Sequence, residues 1–280
     1  MKIKQLLIAF AMVSFAIGFN SCKKADNNTT SEEIETTFEL SGDQAIADNL
    51  SEDANDLFMQ AAVEKNVAGN FAPGTETVEN FIPCATVTVT PVSGFPKTIT
   101  IDFGTSCPYM GVTRSGKIII VISDSVRRSG STATMTFDNY FVNLYKVEGT
   151  IVWTNTSTPN TRSWTRQTTN GKITAPDARY WLHSGTKNVT QTEGVNTINW
   201  LDDVFSITGN HTVTNSAGRS RVCTVLEALQ KKTACANIDK GKLKVQGPNH
   251  YALVDFGDGT CDNLATISID GRAPRTIILR

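Results

Sequence analysis

His183, His211 and His250 are the only histidines in the 280-residue chain, and no two are close in sequence. A zinc or catalytic site built on them would need an H-E-x-x-H or Cys/His spacing, and neither is present. They are expected as exposed strand residues. Asp255, Asp258 and Asp262 in "DFGDGTCD" offer the oxygen ligands that Ca²⁺ takes, but not at the spacing of an EF-hand loop. A tight turn is the expectation there. Asp102-Phe103-Gly104 and Asp255-Phe256-Gly257 spell the kinase metal-binding triplet. No Gly-rich phosphate loop, strand lysine motif or catalytic-loop sequence accompanies them, so that reading fails. Their glycines are expected to supply positive φ at strand-end turns. No G-x-S-x-G elbow occurs. Glycoside hydrolysis needs two opposed carboxylates. Glu148, Glu193 and Glu227 have the right type, but nothing in the sequence pairs them. No catalytic residue, metal ligand or cofactor is expected.

The arginines and tryptophans are more suggestive. Arg162, Trp164 and Arg166 share one face of a strand by period two, as do Arg179, Trp181 and His183. Asn170-Gly171 between them is the strongest short hairpin signal in the chain. Pairing through that hairpin would stack an Arg/Trp ladder. Such ladders are a common structural device. The alternative is a platform for sugars or anionic ligands, with Arg162, Trp164, Arg166, Arg179 and Trp181 as its residues.

These residues must be carried somewhere, and the N-terminus says where. Lys2 and Lys4 form a positive head, and Leu6 to Phe19 is 14 residues without a charge. That suits a signal-peptide core and is short for a membrane span. Ser21 then stands directly before Cys22. The arrangement resembles a bacterial lipoprotein signal, with residues 1–21 removed and Cys22 lipidated. Two or more acyl chains anchor a protein stably where one does not. No later stretch offers about 20 consecutive apolar residues, so the rest is expected to be soluble and extracytoplasmic.

Charge divides the mature chain. Residues 22–79 hold 13 Asp/Glu against three Lys/Arg, a net of −10. Residues 80–280 hold 14 against 21, a net of +7. An acidic, Thr/Asn-rich stretch buries too little apolar surface to fold alone, so residues 22–42 read as a flexible, lipid-anchored tether. The alternative is that this acidic arm lies against the basic body. The body's charge could also attract anionic glycans or lipid head groups. Nucleic acid is excluded as a partner of an exported chain with no basic run. A short helical segment is expected over 43–68, capped by Ser41 or Asp43, with Ile46, Leu50, Ala54, Leu57, Phe58 and Ala61 as its apolar stripe.

From residue 80 alternation takes over. "ATVTVTPV" and "KTITIDF" alternate, "KIIIVIS" reads as a buried strand, and turn residues recur every 8 to 12 positions to the end of the chain. About a dozen sequential strands follow. The expected fold is all-β: an antiparallel meander over 80–280, forming a sandwich or partly closed barrel, with the short N-terminal helical segment beside it.

An internal echo orders the cysteines. "CATV…ITIDFGTSC…RSGKIII" and "CANI…ALVDFGDGTC…IDGRAPR" share a Cys, a strand ending Asp-Phe-Gly, a second Cys, and a later Gly before a basic region. Two related hairpin units account for this and imply the disulfides Cys84–Cys107 and Cys235–Cys261. A rival pairing joins Cys223 to Cys235 or Cys261. In the first case Cys223 is left over.

The layout resembles a family of uncharacterised lipoproteins from Bacteroidota. The resemblance rests on "TITIDFGTSC" with "GVTRSGKIII", on "TFDNYFVNLYKVEGT" and on "VDFGDGTCDNLATISIDG". It implies an envelope address, most simply the outer membrane, and a β architecture; it supplies no catalytic residues. Asp124-Ser125-Val126 resembles the short O-glycosylation site that Bacteroidota use on exported proteins, which would modify Ser125. The expected function is a non-enzymatic binding or structural role of a membrane-anchored envelope lipoprotein, with a glycan or anionic envelope ligand as partner. The alternatives are a lipid or lipoprotein carrier with an apolar cavity, and a surface glycan-processing hydrolase.

Overall fold

The computed structural model describes residues 24–69, 82–109, 111–197 and 199–279, with side chains from residue 30 onward. The expected leader 1–21 and the expected lipidation site Cys22 lie outside the described residues. One helix, α1 (Lys24–Glu64), comes first. The strands follow in chain order: β1 (Thr86–Thr90), β2 (Lys97–Asp102), β3 (Cys107–Tyr109), β4 (Val112–Ile122), β5 (Thr132–Val142), β6 (Tyr145–Asn155) and β7 (Ser163–Thr174). Next are β8 (Tyr180–Glu193), β9 (Val204–Asn215), β10 (Ser220–Lys232), β11 (Lys240–Gln246), β12 (Tyr251–Asp258), β13 (Leu264–Ile269) and β14 (Arg275–Ile278). All fourteen strands join one sheet in sequence order, each antiparallel to its neighbours, with β3 attached to the start of β4. The sheet does not close: β1 and β14 remain its edges. The expected antiparallel meander is present, curled around a helix.

The helix is longer than expected and differently placed. It is helical from Lys24, where a tether was expected over 22–42, and Ser41 and Asp43 sit in its interior rather than at a cap. Ser41 Oγ bonds back to Thr37 O at 2.5 Å. Between Leu40 and Val63 no helix residue is exposed. The reason is the surrounding sheet. Ordinary helices bury one stripe, whereas α1 has strands on all sides and buries polar and apolar residues alike. Leu50, Ala54 and Phe58 are fully buried, as are Gln44 and Asn49. The expected apolar residues Ile46, Leu50, Ala54, Leu57, Phe58 and Ala61 do pack inward, with Ile46 only half-buried.

Buried carboxylates need partners, and the inward face of the sheet supplies them. Asp48, Glu52 and Asp56 stand at four-residue steps along one ridge of α1. They meet Lys187 of β8, Arg166 of β7 and Lys231 of β10. Asp53 lies about 100° further round and binds Arg114 of β4 through two contacts, 2.9 and 2.5 Å. Asn55 accepts from Trp153 Nε1 of β6 at 3.1 Å, and Asn49 accepts from Ile238 N at 2.6 Å. The acidic arm therefore lies against the basic body.

Curling the sheet this tightly needs bends. Register shifts recur in the ladders from β4/β5 to β11/β12. Glycines stand at most of them, and bulges of this kind increase local twist. Gly149 has φ 119°, and a Cβ there would fall 2.7 Å from the Gly171 Cα. A Cβ on Gly171 would fall 2.6 Å from His183 O. Asn170-Gly171 is thus a bend inside β7, not the hairpin expected from the dipeptide. The turn to β8 comes later, where Ala175 N donates to Arg179 O at 2.8 Å.

The two ends of the sheet differ. At one, the turns after β7, β9, β11 and β13 grip the N-terminal part of α1. Arg179 binds Asp43 and Glu39, Arg219 binds Glu32, Asn249 and the His250 backbone bind Glu33, and Arg275 reaches Glu35. At the other, the loop after β4 meets the residues beyond the helix: Val126 N donates to Val67 O at 3.2 Å and Arg127 N to Ala68 O at 2.9 Å. A helix of 41 residues spans about 60 Å, so these ends are far apart.

Candidate functional site

Both cysteine pairs of the internal echo are bonded, Cys84–Cys107 and Cys235–Cys261, and Cys223 is free and buried on β10. Burial pushes the Cys223 thiol well above its usual range, so it is a core residue. Cys235 and Cys261 lie near Asp239, but their sulfurs are spent in the disulfide. The echo extends to turn chemistry: Asp102 Oδ1 accepts from Gly104 N at 2.9 Å, and Asp255 Oδ1 from Gly257 N at 3.0 Å. Both glycines have positive φ. Asp258 and Asp262 likewise accept from backbone N–H groups two residues on, those of Thr260 and Leu264. Tight turns, as expected, explain these aspartates.

The histidines do not behave as expected. His183 and His211 are buried on the inward faces of β8 and β9, and burial pushes both down to about 4. His250 is partly buried and contacts Asp270 at 2.7 Å through Nδ1. Period two identifies which residues share a face but not which face is concave. Here the face of His183 turns toward the helix.

The same inversion applies to the Arg/Trp residues. Trp164, Arg166 and Trp181 are buried, so the five residues do not form an outer platform. Arg166 is bound by Glu52 and lies 5.3 Å from the Trp153 ring, and Arg179 lies 5.1 Å from the Trp181 ring. Burial would raise the Glu52 carboxyl, but Arg166 and Lys187 beside it bring it down to about 2. Burial raises Asp43 to about 6 against the pull of Arg179. Most of the ladder is structural. Glu148, Glu193 and Glu227 lie on β6, β8 and β10; Glu148 and Glu227 hold surface lysines. Ser125 lies half-buried in the loop after β4, against Gly69.

Arg162 and Trp164 also face a recess. They line an open cleft of about 610 Å³ between the loops after β4, β6 and β8. The cleft lies at the end of the sheet away from the helix N-terminus. Arg127 lines it from the first loop, Ser157, Thr158, Asn160 and Thr161 from the second, and Asn196 from the third. The second loop is braced: Thr158 N and Thr161 O bond at 2.9 Å, and the Thr156 and Ser163 hydroxyls meet at 3.0 Å. Burial and the like charge of Arg162 lower Arg127 to about 10, and burial lowers Arg162. Two cations therefore share one recess. Trp164 is buried beside them, and its Nε1 has no hydrogen-bond acceptor among the described residues.

Among the described residues Asp203 faces both cations. Asp203 accepts from Gln191 Nε2 at 2.7 Å, and Gln191 Oε1 accepts from Arg162 Nη1 at 3.5 Å. Burial and the neighbouring Asp202 raise Asp203 to about 7, with Arg127 and Arg162 pulling it down. The arrangement is a hydroxyl- and amide-lined basic recess whose net charge depends on Asp203. It offers donors to an anion and, among the described residues, no opposed pair of carboxylates in its lining. Sequence reading missed Arg127, which is one of two adjacent arginines in a loop; only the fold brings it to Arg162.

No family model matches the chain, and neither a curated protein nor a solved structure matches it.

Proposed function

We propose that the protein is a membrane-anchored envelope lipoprotein whose basic cleft binds an anionic glycan-type ligand without transforming it. The observation that carries this reading is the pair Arg127 and Arg162 in one open recess, rimmed by hydroxyls and amides. Bound carboxylate or sulfate oxygens suit guanidinium donors, and sugar hydroxyls suit Ser157, Thr158, Thr161 and Asn160. The lipoprotein-type leader supports an anchor at Cys22, and two disulfides suit an oxidising compartment. Lipid on Cys22 would stand two residues before α1. The outer membrane is the proposed site, with the cleft held at the far end of the helix.

The two other readings fit less well. A lipid carrier needs an apolar concavity, and here α1 fills the concave face of the sheet. A hydrolase needs carboxylates on either side of a bond. Asp53 and Asp56 do line one small pocket, but they stand three residues apart on one helix face, and each already holds a cation.

Calorimetric titration with a uronic-acid oligosaccharide, a sulfated oligosaccharide and their neutral counterpart tests the proposal. Saturable binding of an acidic oligosaccharide, weakened by Arg127→Ala and Arg162→Ala, is expected. Equal binding of the neutral compound, or binding unaffected by both substitutions, contradicts it.

A further inference from the structure

A second recess, of about 140 Å³, is walled in part by Trp200, in the connection between β8 and β9. It is lined by Asp53, Asp56, Gln60, Tyr109, Arg114 and Trp200, with Leu57, Ile82 and Val112 as apolar wall. We propose that it binds a neutral, hydroxyl-bearing ring, the chemistry of a single uncharged sugar unit. The proposal stands apart from the basic cleft and does not rest on it.

Arg114 supplies the first argument. Its side chain is 7% exposed. Nε and Nη2 are held by Asp53, and Tyr140 hydrogen-bonds the same guanidinium. The recess therefore has a fixed polar wall, in which the Asp53 carboxylate can accept from a ligand hydroxyl.

Charge supplies the second. Asp53 is matched by Arg114 and Asp56 by Lys231, at 2.5 and 2.6 Å. Among the described residues the charges of the lining are matched, so a neutral ligand with both donors and acceptors fits: its hydroxyls can donate to the carboxylates and accept from Gln60.

Shape supplies the third. Tyr109 and Trp200 are half-buried and present aromatic surface beside Leu57, Ile82 and Val112. A pyranose or furanose has an apolar face of C–H groups and a rim of hydroxyls. Apolar walls with a few convergent polar groups are the usual make-up of small-molecule sites.

The test is ligand-observed NMR on the full chain with a panel of neutral monosaccharides and methyl glycosides, alongside uronic acids. No anionic glycan is added, so failure here leaves the cleft proposal untouched. At least one neutral sugar should give saturable binding, weakened about tenfold by Tyr109→Ala or Gln60→Ala. Gln60→Ala guards against a Tyr109 variant that fails to fold. Absence of saturation by any neutral sugar would mean that water fills the recess, and the proposal would fall. Preference for uronic acids would overturn the charge argument. Release of nitrophenol from an aryl glycoside would overturn binding in favour of hydrolysis.

Discussion

Glu52 of α1 and Arg166 of β7 form a two-point ion pair in the middle of the molecule. Nη1–Oε2 and Nη2–Oε1 are both 2.8 Å, and each side chain is 4% exposed. Lys187 of β8 joins at 3.1 Å and also holds Asp48. Removing one member of a buried pair leaves an uncompensated charge, whereas replacing both with apolar groups is often neutral. Glu52→Gln is therefore expected to lose about 3–5 kcal/mol in urea denaturation. The double variant Glu52→Leu/Arg166→Met should lose less than either single change. Additive losses would show that the pair does not act as a unit.

Acid should loosen the fold through His183 and His211. Their folded pKa of about 4 lies below the ordinary 6.5. Below pH 6.5 the unfolded chain binds protons that the folded chain refuses, so their contribution falls as pH drops from 6.5 to 4 and is flat above. Each accounts for roughly 2–3 kcal/mol across that window. Asp43 and Asp203, raised to about 6 and about 7, act in the opposite sense. The difference between wild type and His183→Gln/His211→Gln isolates the histidines. The wild-type stability minus that of the variant should fall as pH drops from 6.5 to 4, and parallel curves would contradict this.

Anion binding in the cleft should strengthen on mild acidification. Asp203, at about 7, loses its negative charge between pH 8 and 6. The groups facing it are Asp202, Arg127, Arg162, Asp56 and the Gln191 amide, and the two arginines stay charged throughout. Affinity for an acidic oligosaccharide should rise several-fold from pH 8 to 6, of the order that loss of one nearby charge produces. Asp203→Asn should bind at pH 8 as the wild type does at pH 6. A wild-type affinity independent of pH contradicts the assignment.

The proposed anchor has a mass signature. Protein extracted from its native membrane should begin at an acylated Cys22 and gain four hydrogens on reduction, two for each disulfide. An unmodified chain would remove the lipoprotein from the proposal and leave the cleft standing.

How much of this was legible follows from particular residues. The strands from Thr86 onward and their order were readable because alternation and turn residues are local signals. The disulfides were readable because the chain repeats itself around Cys84–Cys107 and Cys235–Cys261. The helix before residue 43 was not. Amphipathic periodicity assumes that one side of a helix meets water, and α1 meets strands all round. Glu32, Glu33, Glu35 and Glu39, read as tether, bind the turns at one end of the sheet, while Asp48, Glu52, Asp53 and Asp56 of the expected helical segment are the partners of inward cations. Asn170-Gly171 misled for a related reason: a dipeptide suited to positive φ serves a bend within a strand as well as a turn between strands. Arg162 and Trp164 do line the cleft, but they share it with Arg127, which lies 35 residues earlier in the chain and which only the fold brings to them.

The most direct test of the account is amide hydrogen exchange of the full chain with and without a saturating acidic oligosaccharide. Binding at the cleft predicts added protection in residues 126–129, 157–162 and 194–197, and none in the turns around the helix N-terminus at 176–179, 216–219 and 247–250. Protection confined to those turns, or none at all, would contradict it.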